Sequence, residues 1–173
     1  GIRPNAVGGA VFYQRTEATF PLEAGLKLER GDFIRSSAGG YAELLLQPGN
    51  YLRLGSETEC QIFSDQHDKM RLKLSHGVLI IEILSREIEY YSSGFWTDAN
   101  ELIRVITPDA EVFLNHPGVF RINTTTNGHT ELVVREGEAV INGNRLKKAR
   151  RAVVANRDVS ITERDAKVED KFD

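Results

Sequence analysis

Apolar and polar residues alternate with a period of two along much of the chain. Ala42, Leu44 and Leu46 alternate with Tyr41, Glu43, Leu45 and Gln47, and Met70, Leu72 and Leu74 alternate with Lys69, Arg71 and Lys73. Successive side chains of an extended strand point to opposite faces, so this pattern predicts half-buried strands with one face on a core. Residues 78–84 are apolar apart from Glu82, which predicts a strand covered on both faces. Turn signals separate these runs at short spacing. Pro48-Gly49-Asn50 lies between strands at 41–47 and 51–54, Asn127-Gly128 between 119–123 and 131–135, and Asn142-Gly143-Asn144 follows 138–141. Asn-Gly accepts the positive φ angles of a tight hairpin at low cost. No segment before residue 160 carries a sustained helical stripe. Close turns between many strands predict an all-β fold: a sandwich, a roll or a short solenoid of hairpins.

One unit occurs twice. Leu72-x-Leu74-x-x-Gly77-x-Leu79-x-Ile81 matches Leu132-x-Val134-x-x-Gly137-x-Ala139-x-Ile141. In each, a glycine lets the chain kink while the apolar side stays inward. The match fits either two equivalent layers of one sheet system or independent use of a common β-corner.

The alternation divides the chain into an N-terminal segment at 1–9, an all-β domain at 10–156 and a charged tail at 157–173. An aromatic-rich insertion interrupts the domain at about 85–100. The N-terminal segment is rich in small residues and lacks a burying pattern, so it reads as a donor strand for another copy or as a disordered end. The tail reads as a short helix or a linker, and its ending at Phe172-Asp173 reads as a truncation. The insertion holds Tyr90, Tyr91, Phe95 and Trp96 around Ser92-Ser93-Gly94. Large aromatics on an adaptable loop anchor interfaces, and they equally cover one end of a core.

Charge narrows the partners. The chain has 173 residues, 22 basic and 25 acidic, with a formal net charge of -3, so no field of one sign exists to hold nucleic acid. The dense basic run Arg145, Lys147, Lys148, Arg150, Arg151 reads as an edge strand whose charges deter edge-to-edge pairing. No apolar stretch has the length of a membrane span. The lone cysteine, Cys60, lies in a strand-like run and reads as a buried thiol; no intrachain disulfide can form.

Catalytic patterns are weak. Gly31-Asp32 is the sharpest motif. Its carboxylate reads as a turn residue accepting backbone N–H bonds rather than as a general base. The histidines His67, His76, His116 and His129 show no paired spacing, and Asp65-Gln66-His67-Asp68 is the one compact ligand-like cluster. No metal or cofactor is expected, and no catalytic residue is assigned. Gly31, Asp32, Gly77 and Gly137 are taken as structural turn residues.

The run Pro21-Leu22-Glu23-Ala24-Gly25-Leu26-Lys27-Leu28-Glu29-Arg30-Gly31-Asp32-Phe33-Ile34-Arg35-Ser36 continues as Gly39-Gly40-Tyr41-Ala42-Glu43-Leu44-Leu45-Leu46 and Pro48-Gly49-Asn50-Tyr51-Leu52-Arg53-Leu54. Further on come Ile106-Thr107-Pro108-Asp109-Ala110-Glu111-Val112, Val119-Phe120-Arg121-Ile122 and Val134-Arg135-Glu136-Gly137-Glu138-Ala139. In order and spacing these segments, over about residues 8 to 155, resemble the FecR-domain family. The likeness is to stand-alone secreted or periplasmic members without the anti-sigma segment. The resemblance implies a non-catalytic binding or scaffold module of the bacterial cell envelope, periplasmic or extracellular, with a signalling or regulatory role. The alternative is a structural subunit that self-assembles through strand edges or its N-terminal segment. The partner in either case is a protein or a second copy.

Overall fold

In the computed structural model, residues 1–47, 50–66, 69–84 and 103–163 are described, and all regular structure among them is β. Sixteen strands form two sheets that share one strand. The first sheet runs β1 (Arg3–Gly8), β5 (Tyr41–Gln47), β6 (Asn50–Leu54), β8 (Lys69–Ile83), β11 (Gly118–Thr124), β12 (Thr130–Glu136), β15 (Arg150–Ala155), β16 (Asp158–Glu163). The second runs β3 (Ala18–Pro21), β2 (Val11–Arg15), β4 (Phe33–Ser36), β7 (Glu59–Gln66), β8, β9 (Ile103–Ile106), β10 (Glu111–Leu114), β13 (Glu138–Ile141), β14 (Asn144–Lys147). Every pairing is antiparallel except β8 with β9, which is parallel. The sheet system does not close into a barrel: its path ends on β14 and β16. Among the described residues, no helix is long and apolar enough to cross a membrane.

The alternation read from the sequence sets the layers. Leu44, Leu52, Leu79, Ile81, Phe120, Ile122 and Leu132 of the first sheet face Ile34, Ile62, Leu72, Leu74, Val105, Val112 and Ile141 of the second in one buried cluster. Removing each such side chain from water contributes about 1.5–3 kcal/mol, which is what holds the two layers together. Val78 and Ile80, on the opposite face of β8, are also buried, whereas Leu84 is exposed.

The two copies of the repeated unit are corners of opposite sense. At Gly77 (φ 105°), β8 leaves the second sheet and enters the first. At Gly137 (φ 88°), the chain leaves β12 of the first sheet and enters β13 of the second. Both glycines sit against backbone. A Cβ on Gly77 would lie 2.2 Å from Thr58 Oγ1 and 2.4 Å from Thr58 Cα, and one on Gly137 would lie 2.3 Å from the Pro117 carbonyl oxygen. Thr58 completes the first corner: its hydroxyl accepts the Val78 N–H at 3.0 Å, and its own N–H donates to Ser36 Oγ at 3.0 Å.

Both chain ends depart from the sequence reading. The N-terminal segment is not a free donor strand: β1 pairs with the chain's own β5, and Ile2 bridges Leu28 with no exposed surface. Main-chain pairing, which needs no alternation, holds it there. The tail boundary also shifts. Residues 158–163 form β16 on the edge of the first sheet, because Val159 and Ile161 alternate with Ser160 and Thr162 and Val159 packs against the core. Residues 164–173 lie outside the described residues, as does the helix or linker expected there.

Candidate interaction edge

Most conspicuous polar side chains are bound into the scaffold. The buried Asp32 carboxylate receives Arg15 through both oxygens, at 3.0 and 2.8 Å, and accepts the Glu29 N–H at 2.8 Å. Gly31, at φ 95°, supplies the turn that aims it. This bonding raises the Arg15 guanidinium above its ordinary value. The carboxylate thus ties the turn before β4 to the end of β2. On the outer face of the first sheet, Arg53 joins Glu43, at 3.0 Å, to Glu82. Bonds from Asn5 and Arg53 hold the Glu43 carboxyl below its ordinary range against the opposing effect of burial. The Cys60 thiol is fully buried, and desolvation pushes it up to about 12.

Among the described residues the candidate metal-binding groups do not gather into a site. His76 Nδ1 is 2.8 Å from the Glu57 carbonyl and its Nε2 is 3.7 Å from Glu59; His116 contacts Asn115. Among the described residues no group of three His, Cys, Asp or Glu could hold a metal ion. His67 and Asp68 lie outside the described residues, as do Tyr90, Tyr91, Phe95 and Trp96. Gly77 and Gly137 stand at opposite ends of β11, one opposite Thr124 and the other against Gly118, so they build no common site. In the basic run, Arg145, Lys148, Arg150 and Arg151 each have a glutamate within 4 Å (Glu138, Glu136, Glu163 and Glu131), which leaves little charge for a polyanion.

The sheet edges differ more than the side chains do. The far side of β1 is covered: the Pro4 and Ile2 carbonyls accept the N–H groups of Gly25 and Leu28, each at 2.9 Å. β3 is four residues long and ends in Pro21, and β14 is four residues long and carries Arg145 and Lys147, features that discourage strand addition. β16 is six residues long and pairs only with β15 among the described residues.

The turn before β16 sets which of its groups are open. Ala155 pairs with Asp158 across a two-residue turn, Asn156 (φ 52°) and Arg157 (φ 69°), whose positive φ angles are those of a type I′ hairpin. The residues flanking such a turn exchange both main-chain bonds, and the pattern then alternates. Asp158, Ser160 and Thr162 therefore bond to β15. The N–H and C=O groups of Val159, Ile161 and Glu163 point away from β15, to a side where no described residue pairs with them. Val159 and Ile161 share the inner face of the sheet, and Ile161 remains 47% exposed. The turn is pinned to the second sheet, since the Asn156 N–H donates to Asp109 Oδ2 at 3.0 Å. A cleft of about 420 Å³ opens beside it, lined by Thr107, Asp109, Glu111, Asn142 and Arg157. The sequence reading missed this strand, although the Val159/Ile161 alternation marks it.

No family model matches the chain, and no curated protein sequence does. Solved structures do resemble it. Two crystal structures of a proposed anti-sigma factor from Parabacteroides distasonis ATCC 8503, at 2.50 and 1.65 Å resolution, superpose with TM-scores of 0.60 and 0.59 at 16% and 15% identity. Each match covers 78% of this chain and 61% of the solved chain, so this chain corresponds to about three fifths of that protein's length. At such identity the likeness shows the fold alone.

Proposed function

We propose that this chain is a FecR-like, non-catalytic protein-binding or scaffold module of the bacterial cell envelope, periplasmic or extracellular, with a regulatory role. The observation that carries the reading is the outer edge of β16, unpaired among the described residues. An exposed strand edge recognises another chain through main-chain bonds, and its alternate side chains set specificity. The bound-up state of Asp32, Arg53 and the Thr58 corner supports a scaffold rather than a reaction centre. The order of FecR-like segments and the fold shared with a proposed anti-sigma factor support a regulatory role. The aromatic residues Tyr90, Tyr91, Phe95 and Trp96 are proposed, on sequence grounds, as further protein-contacting positions.

The test is a photo-crosslinking residue at position 161 of the full-length gene product in its own cells. An adduct with an envelope protein, lost when Val159 is replaced by proline, supports the reading. Adducts with a second copy alone favour the scaffold form. The absence of any adduct, with the protein folded and present, would remove the edge from the account.

A further inference from the structure

We infer that the occupant of the β16 edge is a second copy of this chain, paired β16 to β16 across a two-fold axis at Ser160. The inference rests on the reading of β16 as the recognition edge and names what occupies it.

Parity restricts the register. Residues directly opposite each other in an antiparallel pair share a face, and bonded residues must face each other with their main-chain groups. Here the open groups belong to Val159, Ile161 and Glu163, all on one face. Two registers then overlap most of the strand. In one, Val159 faces Glu163 of the second copy, Ile161 faces Ile161, and a carboxylate lies beside an apolar residue on the inner face. In the other, Val159 faces Ile161 on both sides of the axis, Asp158 faces Thr162, Ser160 faces Ser160, and Glu163 lies beside the turn residue Arg157.

Charge and burial select the second register. Each Glu163 then comes beside the turn that carries Arg157 of the second copy, one such approach at each end, and opposite charges so placed attract. Within its own chain Glu163 meets Arg150 only at 3.6 Å, with the Glu163 side chain 85% exposed. Val159 and the exposed Ile161 become neighbours of their counterparts and extend the inner apolar face across the axis. A two-fold contact of this kind is closed, so it yields a dimer and no filament.

The experiment uses the full chain. Its mass by light scattering is expected to rise towards twice 19.4 kDa as concentration goes from micromolar to near millimolar. Ser160→Cys tests the axis. As a non-hydrogen-bonded pair, the two Cα atoms would be about 4.5 Å apart, inside the disulfide range. Mild oxidation should then give a covalent dimer with Ser160→Cys and little with Thr162→Cys; the buried Cys60 stays out of reach. Arg157→Glu and Glu163→Arg should each weaken association at least several-fold, and the double exchange should restore it. A chain that stays monomeric, and whose Ser160→Cys variant forms no covalent dimer, would overturn the inference. Crosslinking at position 161 to another envelope protein would in that case leave the edge reading standing. A link at Ile161→Cys in place of Ser160→Cys would overturn the register.

Discussion

Replacing Gly77 by alanine should damage this fold more than any exposed change of the same size. The residue sits at φ 105°, where a side chain is strained, at a cost of roughly 1–3 kcal/mol. The new methyl would also lie 2.4 Å from Thr58 Cα, which is backbone and cannot rotate away. Forced overpacking of that kind costs a further roughly 1–3 kcal/mol. Together these give about 4 kcal/mol, a large share of the roughly 5–15 kcal/mol that keeps a domain folded. With a urea slope of about 2–3 kcal/mol/M, the unfolding midpoint should drop by about 1.3–2 M with the slope unchanged. Far-ultraviolet circular dichroism in a urea titration reads this directly. Gly143→Ala is the control. Its φ of 79° is also positive, but nothing lies within 4 Å of the added methyl, so only the backbone cost of about 1–3 kcal/mol remains. A Gly77→Ala midpoint within about 0.5 M of wild type, or equal losses for both variants, would refute the close-approach argument.

Asp32→Ala removes both Arg15 bonds and the Glu29 bond, while the partly exposed Arg15 can return to water; urea titration should show a loss of about 2–3 kcal/mol, and Asp32→Asn a smaller one. Glu43 has a lowered pKa in the folded state, so its contribution is complete above the unfolded carboxyl value of about 4.3 and fades as pH falls through the folded value. The stability gap between wild type and Glu43→Gln should therefore be present at neutral pH and close in acid; a gap that widens in acid would contradict the ion pairing. Cys60, buried and held protonated, should react with a thiol reagent at mildly alkaline pH only at the rate of unfolding, and rapid labelling of folded protein would show the site is open.

The strands around 41–54 and 70–83 were legible because one face of each is buried, and burial writes a period of two into the sequence. The glycines of the repeated unit were legible as kinks. That they carry the chain between sheets, in opposite directions, was not, because nothing local distinguishes a bend within a sheet from a step between sheets. Residues 69–83 accordingly read as two strands and form one of fifteen residues. The parallel pairing of β8 with β9 was also hidden, since it depends on contacts across the intervening residues. β1 was missed because Arg3-Pro4-Asn5-Ala6 is held by main-chain bonds to β5 and by Ile2, just before the strand. β16 was missed for another reason. Its Val159/Ile161 alternation is present but short, and its hairpin turn, Asn156-Arg157, lacks the glycine that marks such turns. The strand whose edge is open was thus the least visible to a reading based on hydrophobic pattern.

Residue-resolved amide hydrogen exchange of β16 tests the recognition edge most directly. In dilute protein the Val159, Ile161 and Glu163 amides should exchange fast and the Asp158, Ser160 and Thr162 amides slowly. As concentration rises and the edge is occupied, Val159 and Ile161 should become protected while the slow set stays slow. Uniform protection in dilute protein, the opposite alternation, or fast exchange at Val159 and Ile161 at every concentration and with every protein partner added would contradict the open, recognising edge.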